Sequence, residues 1–307
     1  MVFKIIIFLI ILIALLLVIA SYKLFRSFFV NERLKKNYNK LPESKRKRTT
    51  YYLEGRDLFF KLPYEQLNIQ SDRYNLIGYY LSNNSNKTAI LLHGWKGSSE
   101  ERMADAFKYI DYGYNVFLPD LRGHGKSDGK YIGMGCSERK DIFKWIDYLK
   151  EKYGSDKNFI LDGISMGGAT VLALSGEEET TSYVKAIISD CGFTSIHDLI
   201  PNFVNKIPKI FRNILVKMVE LWCILFCGFS FNKCTPIMQI RKSKTPIFII
   251  HGTEDRFVPF EMGKKLYDAC SSEKEYWAVE GAKHIMSSWV AKNEYKQKVK
   301  DFLDKYI

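Results

Sequence analysis

The sequence contains no CxxC pair, and none of its six cysteines clusters with histidines at zinc-ligand spacing. A structural zinc site or a thioredoxin-like centre is therefore not encoded in the usual way. No glycine-rich loop has phosphate-binding order: GHGKSDG (123–129) lacks the Walker spacing, and no strand runs directly into its glycines. No internal repeat, no low-complexity tract and no cluster of His, Asp and Glu suited to a metal is present. Neither a metal nor a cofactor is expected. Net basic charge is small over most of the chain. The net charge is +12, but residues 1–48 hold eleven Lys/Arg against two Asp/Glu, which leaves only +3 for everything after them. This argues against a nucleic-acid partner for the main body. It suits a segment lying near anionic lipid head groups.

Charge is missing altogether from Ile5 to Ala20, IIIFLIILIALLLVIA. With Val2 and Phe3 ahead of it, the stretch nearly reaches the roughly 20 residues that cross a bilayer as a helix, and it has no polar face for a water-exposed side. Residues 1–22 are read as an uncleaved membrane anchor. A secretory signal peptide, with cleavage after Val18-Ile19-Ala20, is the alternative. Lys23, Arg26, Arg33, Lys35, Lys36, Lys40 and Lys45–Arg48 follow the helix, and only Lys4 and the terminal amine precede it. The positive-inside rule then places the rest of the chain on the cytoplasmic side; a cleaved signal peptide places it outside. Free thiols lean toward a reducing compartment. Cys223 and Cys227, four apart in an apolar stretch, are expected to share a helix face as small hydrophobes.

What is present is a globular composition, 47% hydrophobic and 26% charged, with 15% aromatics for a large core. Residues 23–60 read as a basic linker and lead-in, and 61–307 as one domain. Segments 64–70 and 76–82 read as an antiparallel strand pair. Strands at 88–94, 114–120, 158–163, 184–190, 245–252 and 274–280 alternate with helices at 99–113, 136–154, 166–176, 260–270 and 287–303. Apolar strands alternating with amphipathic helices give an α/β fold, a mostly parallel sheet covered on both faces. The interruption at 193–243 is apolar with scattered Lys/Arg and reads as a helical cap. Its uncharged run Leu221–Phe231 is too short to span a membrane.

Within FILDGISMGGATVLAL (159–174) a serine sits between glycines where a strand meets a helix. A serine hydroxyl is a poor nucleophile until a base takes its proton. It must also project clear of the backbone. A sharp strand-to-helix turn does this and leaves no room for side chains two residues either side, which explains Gly163-x-Ser165-x-Gly167. GKSDG (125–129) matches the same spacing around Ser127, but it follows a loop rather than a strand, so Ser127 reads as a turn serine. The base should follow the last strand, where His284 lies. The orienting acid should follow the strand before, where Asp255 lies, with Glu254 and Asp190 as alternatives. The backbone N–H groups of Met166 and Trp95 are the expected oxyanion donors. His93, Trp222 and Phe226 are candidates for lining a substrate pocket, with packing as the alternative role; His251 stands in the same position as His93.

The motifs LLHGWKGS, PDLRGHGKSDG, GISMGG, HGTEDRFVP and GAKH, in this order over about residues 60–290, resemble those of the α/β-hydrolases. The resemblance is to membrane-anchored serine hydrolases of the Bem46-like and serine aminopeptidase-like type. It implies the α/β-hydrolase fold with an inserted cap, Ser165, Asp255 and His284 as a catalytic triad, and Trp95 and Met166 at the oxyanion hole. It also implies that Arg122 and His124 form a structural turn. The expected activity is hydrolysis of small or lipid-like carboxylic esters, of the carboxylesterase or lipase class. A serine peptidase or amidase on the same site is an alternative, and so is a non-catalytic membrane-tethered binding protein.

Overall fold

The computed structural model describes residues 1–31, 43–154, 158–232 and 235–307, without the side chains of 43–48. The basic residues Arg33, Lys35, Lys36 and Lys40, the side chains of Lys45–Arg48, and Cys234 lie outside the described residues.

Eight strands form one sheet: β1 Glu65–Ser71, β2 Tyr74–Leu81, β3 Lys87–Leu92, β4 Asn115–Pro119, β5 Asn158–Ile164, β6 Val184–Asp190, β7 Ile247–Gly252 and β8 Lys274–Val279. Their order is β1-β2-β4-β3-β5-β6-β7-β8. β1 and β2 pair antiparallel, and β2 pairs antiparallel with β4. Every pairing from β4 onward is parallel. The parallel strands need covering on both faces, and alternate residues serve alternate faces. Ile90 and Leu92 of β3 join one core with Phe159 and Leu161 of β5. Ala89 and Leu91 join the other with Ile160.

The helices sort accordingly. α4 (Glu138–Tyr153), α5 (Met166–Leu174) and α10 (Phe260–Ala269) supply Trp145, Ala169 and Leu266 to the first core. α3 (Met103–Asp111) and α11 (Ser287–Asp304) supply Tyr109 and Phe302 to the second, which also holds Phe59 of α2 (Glu43–Phe59). A short α6 (Glu178–Tyr183) leads into β6. Between β6 and β7 the chain forms α7 (Ile196–Phe203), α8 (Lys209–Cys227) and α9 (Pro236–Ile240).

The N-terminal helix, α1 (Val2–Phe29), does not stop where the apolar run stops. Its first two thirds stand clear of the body and are long and apolar enough to cross a membrane. Its last turns enter the domain: Ser21, Phe25, Phe28 and Phe29 are buried, at the spacing of one helix face. The sequence reading placed residues 23–29 in a linker because their charges dominate; the structure buries the aromatics between those charges. Each buried Phe contributes about 1.5–3 kcal/mol. The terminal carbonyls that a helix leaves unpaired are met by the domain. Trp95 Nε1 donates to the Phe28 carbonyl (2.8 Å) and the Ile132 amide to that of Phe29 (2.9 Å). Val30 then bridges to Tyr131 in an antiparallel sense. The five described cysteines are free thiols.

Candidate active site

The functional side chains gather at the carboxyl ends of the parallel strands, where loops from neighbouring strands converge. Ser165 follows β5 and opens α5 with φ 57° and ψ −115°, a strained backbone for a residue with a side chain. The tightness is visible at its neighbours. A Cβ on Gly163 would lie 2.2 Å from the Gly167 carbonyl oxygen, and one on Gly167 would lie 2.4 Å from that of Leu92. Any side chain at either position would push the turn apart.

Ser165 Oγ lies 2.9 Å from His284 Nε2, and His284 Nδ1 lies 2.7 Å from Asp255 Oδ2. A ring nitrogen facing a carboxylate carries the proton, so Nε2 presents its lone pair to the serine hydroxyl. The imidazole stacks on Phe257, with centroids 4.7 Å apart. Asp255 is fixed in turn: its Oδ1 accepts the Phe257 and Val258 amides, both at 2.9 Å. Burial works to raise this carboxyl, but hydrogen bonds from His251 and His284, the His284 charge and the Val258 amide outweigh it and hold it down at about 2. The group is a carboxylate at neutral pH. His251 was expected to be a packing residue. Its Nε2 donates to the Val258 carbonyl at 3.0 Å and lies 3.5 Å from Asp255 Oδ2, so it stands behind the acid and holds the loop that carries it.

The two alternative acids point elsewhere. Glu254 is exposed. Asp190 accepts hydrogen bonds from Ser287 Oγ (2.9 Å) and Tyr295 OH (3.2 Å), and burial pushes its carboxyl up to about 6. Ser127 is buried in a turn, donating to the Asp120 carbonyl at 2.6 Å. Cys191 was not anticipated as a neighbour of the triad. One ligand atom each from Cys191, Asp255 and His284 fall within 4.8 Å of one another. Burial, followed by the nearby charges of Asp190 and Asp255, pushes the Cys191 thiol well up, so it packs as a neutral thiol rather than a metal-binding thiolate.

The Met166 amide opens α5 directly after the serine, and the loop carrying Trp95 lies against it: a Cβ on Gly94 would stand 3.6 Å from Ser165 Cβ. Neither amide finds a hydrogen-bond partner among the described residues, so both are free to receive a developing oxyanion. The loop is braced from behind. His93 Nδ1 donates to the Gly94 carbonyl (2.8 Å), and its Nε2 accepts the Leu121 amide (3.1 Å). His124 Nε2 accepts the Lys96 amide (3.2 Å). Burial, then the nearby His93, lowers His124 to about 3, so it stays neutral and keeps that acceptor. Arg122 grips both oxygens of Asp141.

Above Ser165 lies a narrow apolar pocket of about 10 Å³, lined by Phe28, Trp95, Met134, Met166, Phe193, Leu199, Phe257 and Val258. That is room for about one water, so an acyl chain must displace side chains. Three expected lining residues are not in it. His93 is fully buried among loop backbone. Trp222 and Phe226 turn from α8 onto α1, at 5.3 Å from Tyr22 and 5.7 Å from Phe25, because the aromatic face of α1 offers them a partner the sequence reading had assigned to a linker. The reading missed Phe28, Met134, Phe193, Leu199, Phe257 and Val258 as lining residues, and Phe28 was the hardest to find. A Phe in a charged stretch, far from every motif, carries no local signal.

The α/β hydrolase fold family model matches residues 88–235, and a serine hydrolase model (FSH1) matches residues 203–288. The chain is 25% identical over 232 residues to the Bacillus subtilis protein YqkD, covering 75% of this chain and 76% of that one. It is 27% identical over 223 residues to protein bem46 of Schizosaccharomyces pombe, covering 70% and 69%. The Pyrococcus furiosus esterase Pf2001 superposes with a TM-score of 0.64 at 25% identity, covering 80% of this chain and 91% of that one. The chain has the α/β-hydrolase fold, and its sequence is similar to proteins of that family.

Proposed function

We propose that this protein is a membrane-tethered serine hydrolase that cleaves carboxylic esters with lipid-like or medium-chain acyl groups. The observation that carries this reading is the continuous hydrogen-bond line from Ser165 Oγ through His284 to Asp255. His284 Nε2 takes the hydroxyl proton as Ser165 attacks the ester carbonyl, and the Met166 and Trp95 amides hold the oxyanion. Asp255 keeps the imidazole in its working tautomer and stabilises the imidazolium. The imidazolium returns its proton to the departing alcohol, leaving an acyl-serine. Water then attacks, again giving its proton to His284, and the acid leaves with Ser165 restored.

The apolar pocket supports an acyl group over a polar one, and the likeness to an esterase supports ester chemistry. α1 is the tether in this reading, and the excess of basic residues after it supports the cytoplasmic side for the catalytic domain. The test is turnover of chromogenic short- and medium-chain esters, with matching amides in parallel, by wild type and Ser165→Ala. Wild type should cleave the esters, and the variant should lose that activity with its circular dichroism unchanged. Retained turnover in a folded variant would remove Ser165 from the mechanism. Faster turnover of amides would make the protein a peptidase.

A further inference from the structure

Helix α8 has apolar residues on both sides. Leu215, Val216, Val219 and Cys223 are buried against the domain. On the opposite side Ile210, Ile214, Leu221, Ile224 and Leu225 are exposed, at the spacing of one helix face. A helix at a water surface turns its polar side outward; this one turns five large apolar residues outward on one face, with Lys217 the charged residue among them.

The place of this face says what covers it. The C-terminal half of α8 grips α1 at the level where α1 leaves the domain: Trp222 Nε1 donates to Ser21 Oγ (3.1 Å), and Phe226 packs on Phe25. From there toward its N-terminus α1 is the apolar, exposed helix long enough to cross a bilayer. Leu221, Ile224 and Leu225 therefore stand beside the point where that helix meets the membrane. Next to this junction is a cavity of about 240 Å³ lined by Tyr22, Phe25, Arg26, Lys130, Tyr131 and Phe226, the mixture of aromatics and cations that sits at head-group level. One turn further along α1, Phe28 reaches the pocket over Ser165.

We propose that the outward face of α8 lies in the bilayer interface alongside α1, and that Ser165 takes its acyl ester from that leaflet rather than from water. The docking of α8 stands on this geometry alone, while the leaflet supply rests on the serine-hydrolase reading. An ester whose acyl chain already lies in the leaflet meets Phe25 and Phe226 before Phe28 and Ser165. It can displace those aromatics without its chain crossing water.

The experiment uses the full chain in phosphatidylcholine–phosphatidylglycerol vesicles. A bilayer-partitioning diazirine label, followed by peptide mapping, should mark the outward residues of α8 as well as α1. Label confined to α1, or α8 shielded while the chain cross-links to a second copy, would overturn the docking. In the same vesicles Leu221→Glu with Leu225→Glu should slow cleavage of a vesicle-embedded long-chain ester at least tenfold, while hydrolysis of water-soluble p-nitrophenyl acetate changes less than twofold. Equal effects on both substrates, or on neither, would overturn the leaflet supply. If no ester is cleaved at all, the serine-hydrolase reading and the leaflet supply fail together, and the photolabel still decides the docking.

Discussion

The floor and the roof of the pocket are built on different principles. The floor is Ser165, His284 and Asp255, each within a few residues of a buried strand end and each fixed by polar contacts of 2.7–2.9 Å. The roof is Phe28 and Phe257, from separate parts of the chain, with Phe203 bridging them from outside the pocket. These hold one another by ring contacts of 4.8–4.9 Å without a directional bond. Hydrogen bonds fall off steeply with misalignment, so the floor tolerates few alternatives. Aromatic packing tolerates many. On the proposed function, the difference assigns the chemistry to the floor and substrate choice to the roof.

Substitutions can break that division. Asp255→Asn should lower ester kcat by about 10⁴-fold and His284→Ala by about 10⁶-fold, whereas Phe28→Ala should change short-chain turnover less than about tenfold and extend activity to bulkier acyl groups. Stopped or steady-state assays across an acyl series read this directly, and a 10⁴-fold loss in Phe28→Ala would erase the distinction. The next largest effect falls beneath the floor. Asp162 on β5 is fully buried, 3.0 Å from Arg102 and 3.2 Å from Lys108, and accepts from Tyr109 OH at 2.6 Å. Burial opposes its charge, but Arg102 and Lys108 keep the carboxyl well below its usual range. Asp162→Ala leaves Lys108 buried without a carboxylate, and Arg102 with Asp105 alone, and should cost about 3–5 kcal/mol in urea unfolding; a loss under about 1 kcal/mol would mean that water reaches the cluster.

Asp190 sharpens the comparison through pH. Its folded carboxyl titrates at about 6 against an ordinary 3.8. A raised pKa favours folding fully below the unfolded value and ceases to do so as pH rises through the folded one. Stability should therefore fall by about 3 kcal/mol between about pH 4 and pH 6 from this group, and Asp190→Asn should flatten that window in melting curves. An identical slope in the variant would assign it to another group. The smallest effect is at the seam of the two regions. Trp95→Phe keeps the ring against Phe28 but loses the indole bond to the Phe28 carbonyl, worth about 1 kcal/mol. It should lower kcat/KM about fivefold. No change would mean that α1 does not help hold the oxyanion loop.

The floor was legible in the sequence because its requirements are local. Gly163 and Gly167 announce a turn that excludes Cβ atoms, and the position of Asp255 and His284 after successive strands follows from strand counting. All eight strands, and the longer helices between them outside the cap, follow from apolar period and glycine stops; the short α6 before β6 carries neither signal. The roof was not legible. Trp222 and Phe226 look like pocket residues only while α1 is thought to end before Phe25. Ser21, Phe25, Phe28 and Phe29 form a buried stripe whose partners lie at Trp95, Trp222, Phe226, Phe229 and Phe231. Such long-range pairing leaves no mark within any single window of sequence. His251 shows the same limit in the floor: a buried histidine reads as packing until its Nε2 is seen beside Asp255.

An activated Ser165 is tested most directly by the intact mass of the full chain after treatment with a fluorophosphonate, with peptide mapping, in wild type and His284→Ala. A single adduct on Ser165, forming quickly in wild type and lost or slowed by orders of magnitude in His284→Ala, is the expected result. An unlabelled Ser165 in folded wild-type protein, or equal labelling in the two, would contradict it. The chain would then be a membrane-tethered binding protein on a hydrolase fold.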